Sequence, residues 1–235
     1  GVEVQLNVHA LDTRNVKLDI RLNGAHYKNN VKSLPDYVSS DTEMIMNAGM
    51  AVGHGLYDWN MPTYTGVDAE TGQAKYLAYY DANLGSFGTG NSADVLQATG
   101  KNGNNYISNV YEYRMKHPEA DIQTTEVTGY QSAYAGSDYI GKSAIPDFAG
   151  GFGIDLQAYG VTLSVTCSYG IGGWGYDNTY AQLMGSDKAG SYNWHKDMRN
   201  AWNRMMTDAE KEAIAAQGAA GIPRLSNGAD RYANM

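Results

Sequence analysis

The clearest pattern in the chain is a strict alternation of apolar and polar side chains. From Val161 to Ile171, every second residue is apolar, and the residues between them are Thr, Ser and Gly. A period of two predicts a strand with one apolar face. A weaker alternation runs over residues 148–158, and Tyr159 and Gly160 separate the two stretches. The sequence therefore predicts a hairpin over residues 148–171.

Two further strand pairs are expected. Residues 2–10 and 16–22 alternate on either side of a polar turn, which predicts a hairpin within residues 2–28. A third pair within residues 55–80 is weaker, because Pro62 cannot donate a hydrogen bond to a neighbouring strand. The three pairs predict an all-β, antiparallel architecture with about six strands.

The segments between the pairs are much longer than the turns inside them. They cover about residues 29–54, 81–145 and 172–235. Compact soluble domains rarely hold loops beyond ~15 residues. Transmembrane β-barrels combine short turns on one side with long extracellular loops on the other, and their strands are ~9–11 residues long. The pattern therefore predicts a transmembrane barrel segment whose long loops are extracellular.

The last of these loops is expected to be partly helical. Thr207 and Glu210 have the spacing of a capping box, in which each side chain binds the other residue's backbone. Good helix formers follow, and Gly218 is a suitable stop. A second helix, less clearly marked, is expected within residues 193–206.

Charge and composition narrow the classes of function. The net charge is −8, from 17 Lys and Arg against 25 Asp and Glu, which argues against nucleic acid as a partner. A single Cys excludes an internal disulfide framework. No apolar run of ~18 residues exists, so no transmembrane helix is expected. The first residues already alternate like a strand and do not resemble a signal peptide, so the start is expected to be a cut inside a longer protein.

No motif supports covalent chemistry. Residues 136–143, GSDYIGKS, match the phosphate-binding pattern GxxxxGK[ST], but Pro146 and a strand-like pattern follow where that motif needs a helix. We therefore expect these residues to be extended. The histidines lack the spacing of a zinc hydrolase, and Cys167 lies on an apolar strand face. We expect no catalytic residue, cofactor or metal.

Aromatic residues at strand ends and in loops are the remaining candidates for function. They can form an interfacial girdle or local packing, or they can stack on a sugar or contact a partner protein. The candidates for substrate or partner contact are Trp59, Trp174, Tyr176 and Trp194.

Several blocks then resemble a known family. The stretch YIGKSAIPDFAGGFGIDLQAYGVTLSVTCSYGIGG, residues 139–173, closely resembles a segment of SusC/RagA-type TonB-dependent outer-membrane receptors. Residues 2–24, 25–35 and 52–77 resemble the same family in the same order. Val161 departs from the family pattern, where an aromatic residue is more usual.

The resemblance implies a 22-stranded barrel, a plug domain and coupling to TonB. It also implies a SusD-like surface lipoprotein as partner, and uptake of oligosaccharides or peptides across the outer membrane of a Gram-negative bacterium of the Bacteroidota. On this interpretation residues 1–235 are part of the barrel domain, with outer-membrane lipid on one side. The plug, through which TonB would act, is absent.

A different class of protein stays open as the alternative. A soluble or surface-exposed β-rich carbohydrate-binding module would also have strands and exposed aromatic residues, but it would have no transport activity. The long, uneven loops favour the receptor.

Overall fold

The computed structural model describes residues 1–35, 51–88, 105–128, 136–185 and 193–225. Strands are the main regular element among these residues, and the strand pairs whose registers are resolved are antiparallel. The remaining parts of the expected loops, residues 36–50, 89–104, 129–135, 186–192 and 226–235, lie outside the described residues. The strands are β1 Val2–Asp12, β2 Val16–His26, β3 Asp58–Pro62, β4 Tyr64–Val67, β5 Ala74–Asp81, β6 Ile122–Thr128, β7 Ser137–Ser143, β8 Phe148–Ala158 and β9 Val161–Ile171.

The chain divides into two compact units. The first comprises Gly1–Trp59 and Gly141–Gly175, and the second comprises Asn60–Ile140 and Tyr176–Met235. The helices belong to the second unit: α1 Val110–Lys116, α2 Asn178–Met184 and α3 Asp208–Ala215, with 3₁₀ turns at Ala82–Leu84, Lys196–Asn200 and Gly218–Ala220. Among the described residues, no helix has the length and apolar character needed to cross a membrane.

The first unit is built on a four-stranded antiparallel sheet in the order β1-β2-β8-β9. All four strands are 11 residues long. The hairpin between β8 and β9 turns at Tyr159 and Gly160, whose φ angles are 49° and 85°. Positive φ at both central residues is the requirement of a tight two-residue hairpin turn that follows the strand twist.

The sheet joins two hairpins that are far apart in the sequence. Ile20 on β2 pairs with Ile154 on β8, and Ala25 pairs with Ala149. Residues 27–147 therefore leave the sheet from one strand and return to its neighbour. The pair expected within residues 55–80 does not belong to this sheet. The sheet therefore contains four of the six expected strands.

The first strand of the pair expected within residues 55–80 is divided into two strands. The chain forms β3, which ends at Pro62, and then β4, which begins at Tyr64 in a different sheet. Proline cannot extend the hydrogen-bond ladder, so it marks the change of partner. The hairpin of β4 and β5 is found as expected, with a turn closed by the Asp68 N–H on the Gln73 carbonyl at 2.8 Å.

The described part of the segment 81–145 contains regular elements where a loop was expected. It contains β6, which joins β4 and β5 in a three-stranded sheet, and β7, which pairs with β3. One small core packs Tyr79 of β5 against Val110 and Tyr113 of α1. Nearby, the buried Asp81 carboxylate accepts hydrogen bonds from the Asn83 and Asp121 N–H groups and from the Tyr113 hydroxyl.

The helix expected after Thr207 is confirmed. α3 has the full capping box, with Thr207 and Glu210 each binding the other's backbone N–H. The helix packs Ile214 into a second core with Val67 and Trp202. The helix expected within residues 193–206 is only the 3₁₀ turn Lys196–Asn200.

Candidate functional site

One face of the four-stranded sheet is apolar across all its strands. The register aligns Val8, Ile20, Ile154 and Val165 in one row, and Leu6, Leu22, Phe152 and Cys167 in the next. These side chains are not covered by the described residues. Each of the following is at least 38% exposed: Val2, Val4, Leu6, Val8, Leu11, Ile20, Leu22, Phe148, Phe152, Ile154, Val161, Leu163, Val165 and Ile171.

The opposite face is polar, and several of its charged side chains are paired. Arg21 Nη2 lies 2.6 Å from Asp155 Oδ2, and Ser164 donates a hydrogen bond to the same carboxylate. His9 Nδ1 contacts Asp19 Oδ1 across one strand pair. Lys17 Nζ lies 3.4 Å from Asp12 Oδ1 near the turn. The sheet thus separates an apolar face from a polar face, as the alternation predicted.

A cavity of about 440 Å³ lies within the first unit where β2, β7, β8 and β9 end or begin. Of the four aromatic candidates, Trp174 lines this cavity, and Trp59 adjoins it: the Trp59 Nε1–H donates to the Trp174 carbonyl at 3.1 Å. Lys142 Nζ lies 3.9 Å from the centre of the Trp174 ring, a cation–π contact. The Trp174 side chain is half exposed, so it remains accessible to a ligand.

The cavity also carries charges of both signs. His26 Nδ1 donates to the Asp147 carbonyl, and the Asp58 carboxylate accepts from the Gly55 N–H at 2.7 Å. Lys28 lines the cavity and makes no ion pair with the described residues. Sequence reasoning missed this group, because the charges come from three separate stretches of chain that only strand pairing brings together.

The other two aromatic candidates belong to the second unit. Tyr176 and Trp194 are both exposed there. Their role in substrate or partner contact stays a prediction, as does that of Trp59 and Trp174. Trp202, by contrast, is buried, and its Nε1–H donates to the Ala69 carbonyl at 2.9 Å.

The phosphate-binding pattern is not a nucleotide site in this fold. Residues Ser137–Ser143 form strand β7, as expected, and no helix begins at Gly141. The Lys142 ammonium lies over Trp174 instead of pointing into a phosphate cradle. Among the residues described, no group of three or more His, Cys, Asp or Glu side chains has the geometry of a metal site.

Two carboxylates in the second unit have a pKa below its ordinary value. The hydrogen bond from Lys75, at 2.9 Å, is the main cause that holds the pKa of Glu126 below its ordinary value. The Thr71 hydroxyl likewise lowers the pKa of Asp68, with which it forms a 2.6 Å hydrogen bond. The first group stabilises the pairing of β5 with β6, and the second stabilises the turn between β4 and β5.

Comparisons with known proteins give one informative likeness. No protein-family model matches the chain, and no curated protein matches it. A chain from a solved structure described as "Structure of the RagAB peptide transporter" matches with a TM-score of 0.52 and 18% identity. The match covers 96% of this chain and 19% of that one, so this chain corresponds to about a fifth of its length. At this identity the likeness concerns the fold.

Proposed function

We propose that this chain is part of the wall of an outer-membrane nutrient importer of the SusC/RagA type. Its four-stranded sheet would face lipid with its apolar side and an aqueous passage with its polar side. Residues of the second unit would belong to the extracellular part, and a SusD-like lipoprotein would be the partner there. TonB would act through a plug domain elsewhere in the gene product. The substrate would be an oligosaccharide or a peptide.

The observation that carries this proposal is the exposed apolar face. Soluble monomeric proteins rarely expose contiguous apolar patches larger than a few hundred square ångströms. Here the apolar rows run across four strands of 11 residues, the length that a tilted membrane strand needs. Lipid acyl chains would cover such a face without a second protein layer.

The fold likeness supports the proposal without deciding its details. The related structure is described as a peptide transporter, and this chain follows the fold over nearly all its length. Of the blocks that resemble SusC/RagA receptors, residues 2–35 contain β1 and β2 and residues 139–173 contain β8 and β9, whereas residues 52–77 lie outside this sheet. From these two likenesses we propose a role in transport, a lipoprotein partner and a location in the outer membrane.

The test is to measure which medium surrounds each face in outer membranes that contain the complete gene product. Cys167 is first replaced by Ser, and Val165→Cys or Thr166→Cys is then introduced and spin-labelled. These adjacent residues are matched, because they differ only in the face that they occupy. We expect dissolved oxygen to broaden the label at position 165, and a water-soluble nickel chelate to broaden the label at position 166.

The alternative class gives a different result. In a soluble or surface-exposed carbohydrate-binding module, the label at position 165 would be reached by the nickel chelate, or it would be shielded from both reagents by protein. Either outcome would contradict a lipid-facing wall. Recovery of the labelled protein in the soluble fraction would contradict it as well.

A further inference from the structure

The cavity at the strand ends adjoins the apolar face of the sheet at His26. This residue pairs with Val2, and the centre of its ring lies 5.3 Å from that of Phe148, which pairs with Ile171. Val2, Phe148 and Ile171 are exposed apolar side chains. Together with His26 they form the last row of the apolar face. Because His26 also lines the cavity, the cavity lies directly beyond this row.

Two side chains of opposite charge line the cavity without a partner. Lys28 follows β2, Asp147 precedes β8, and both residues are exposed. Neither the Lys28 ammonium nor the Asp147 carboxylate makes an ion pair or a hydrogen bond with the described residues. The hydrogen bond from His26 goes to the Asp147 backbone carbonyl and leaves the carboxylate available.

The cavity has a further charged side chain of each sign, and these two are engaged. Lys142 Nζ lies over the Trp174 ring, 3.9 Å from its centre. The Asp58 carboxylate accepts a hydrogen bond from the Gly55 N–H at 2.7 Å. Among the described residues that line the cavity, Lys28 therefore supplies the available cation and Asp147 the available anion.

A group that carries both a phosphate and a primary amine matches this pair. An ammonium such as that of Lys28 donates hydrogen bonds to phosphate oxygens, and a protonated amine donates to a carboxylate such as that of Asp147. A purely anionic group would bring a phosphate beside Asp147 with nothing to offset the repulsion. The volume of about 440 Å³ lies within the usual range of small-molecule pockets.

The position of the cavity favours a lipid as the carrier of this group. Acyl chains attached to a headgroup in the cavity would lie along Phe148 and Ile171 in the adjoining row. A peptide also carries both charges at its termini, but it would arrive through the aqueous passage on the opposite face of the sheet. Charged pockets at the edge of a membrane-spanning surface are a known means of binding lipid headgroups.

We infer that the cavity at the strand ends binds the phosphoethanolamine headgroup of a membrane lipid. The inference rests on the proposed function, because such a headgroup reaches the cavity only if the apolar face lies in a membrane. It goes beyond that function by assigning the phosphate to Lys28 and the amine to Asp147. The site does not use the ring of Trp174, which stays a candidate for substrate contact.

The test titrates three lipids with identical acyl chains into the complete gene product in detergent, and native mass spectrometry measures the bound lipid. The lipids are phosphatidylethanolamine, phosphatidylcholine, whose amine has no N–H group, and phosphatidylglycerol, which has no amine. The variants are Lys28→Gln and Asp147→Asn. The matched controls are Lys17→Gln and Asp12→Asn, which remove an exposed charge of the same sign at the other end of the sheet.

We expect the wild type to bind phosphatidylethanolamine about fivefold more tightly than either other lipid, the effect of one hydrogen bond to a charged group in a partly screened site. Lys28→Gln should weaken binding of all three lipids several-fold, because each carries a phosphate. Asp147→Asn should lower phosphatidylethanolamine to the level of phosphatidylcholine and should not weaken phosphatidylglycerol. Lys28→Arg keeps the charge and should retain binding, and both controls should behave as the wild type.

Three outcomes would overturn the inference: the wild type binds the three lipids equally, the control variants lose the preference as well, or short peptides with free termini displace phosphatidylethanolamine. The spin-label measurement separates these outcomes from failure of the proposed function. If the label at position 165 is reached by oxygen and the label at position 166 by the nickel chelate, the wall stands and only the headgroup assignment is lost.

Discussion

The Tyr169 hydroxyl of β9 donates a hydrogen bond to the Asn23 carbonyl of β2 at 3.1 Å, although these strands are not neighbours in the sheet. The side chain reaches across β8 because the intervening residue is Gly150. A β-carbon at Gly150 would lie 2.7 Å from the Tyr169 hydroxyl oxygen, and one at Gly24 would lie 2.9 Å away. The tyrosine thus covers two glycines and ties three strands together.

Removing this bridge should destabilise the four-stranded sheet. Tyr169→Phe loses one hydrogen bond, so we expect the free energy of unfolding to fall by about 1 kcal/mol. Tyr169→Ala also uncovers the backbone at Gly24 and Gly150, and we expect a larger loss. Urea unfolding of the complete gene product in detergent measures both. Leu163→Ala on the same strand face is the control for loss of an apolar side chain, and a loss there equal to that of Tyr169→Ala would contradict the bridge.

A glycine in the second unit should be intolerant of any side chain. Gly72 has φ +72°, and a β-carbon there would clash with the ring of Trp202. Gly88 has φ +73°, but apart from its chain neighbours no atom of the described residues lies within 4 Å of the position of its β-carbon. Gly88→Ala is therefore a matched control that carries the same backbone strain without the clash.

We expect Gly88→Ala to lower the free energy of unfolding by about 1–2 kcal/mol, the cost of a left-handed conformation for an L-residue. Gly72→Ala should lower it further and displace Trp202, whose indole fluorescence should shift to longer wavelength. Equal effects of the two substitutions would show that Trp202 does not pack on the turn.

Acid should weaken the pairing of β5 with β6. Since the pKa of Glu126 is lowered chiefly by Lys75, the ionised carboxylate stabilises the folded sheet above the ordinary pKa of glutamate. That stabilisation is lost as the pH falls through the lowered value. Protection of the amides of residues 74–81 and 122–128, measured by hydrogen exchange and corrected for intrinsic rates, should therefore decrease between pH 5 and about pH 3.

Lys75→Met should make this acid dependence shallower, because Glu126 would then titrate nearer its ordinary range. Lys142→Met removes a cation from the other unit and should leave protection of these two strands unchanged. Because the Glu126 side chain is half exposed, solvent screening keeps the effect small. A steeper dependence in Lys75→Met would contradict the assigned cause.

The cavity at the strand ends gives a test of the aromatic candidates. Trp174→Ala removes the ring that Lys142 covers. If the complete gene product is an importer as proposed, we expect its ligand uptake to fall several-fold in this variant. Trp202→Phe is a control for aromatic loss, because Trp202 is buried in the second unit. If uptake falls equally in both variants, the cavity has no specific role in binding.

The sequence predicted the strands of the four-stranded sheet within two residues, except that β2 continues to His26, four residues beyond the alternation over residues 16–22. Its alternation over residues 161–171 is complete, and Tyr159–Gly160 suits only a tight turn. The same alternation does not show which strands pair with each other. No local feature of the sequence indicates that Ile20 pairs with Ile154. Strand pairing over such separations depends on the whole chain, so the boundary between the two units was not predictable.

The elements that the sequence did not predict, β6 and the helices α1 and α2, have weak local sequence patterns. In β6, residues 122–128, the only strongly apolar side chains are Ile122 and Val127, which fall on opposite faces. Helices α1 and α2 have only seven residues each, and short helices depend on tertiary packing. The site was predicted only as single aromatic residues, because its charges become neighbours only through strand pairing.

The adjacency of β2 and β8 sets the order in which the sheet can be completed. The hairpin of β1 and β2 needs only contacts within residues 2–26, but the other edge of β2 has no partner until β8 is available, because Ala25 pairs with Ala149. Pairing between strands that are far apart in the sequence is slow, since the connecting chain must be closed first. The first hairpin therefore carries an unpaired strand edge while the rest of the chain is synthesised, and such an edge is a template for pairing with another chain.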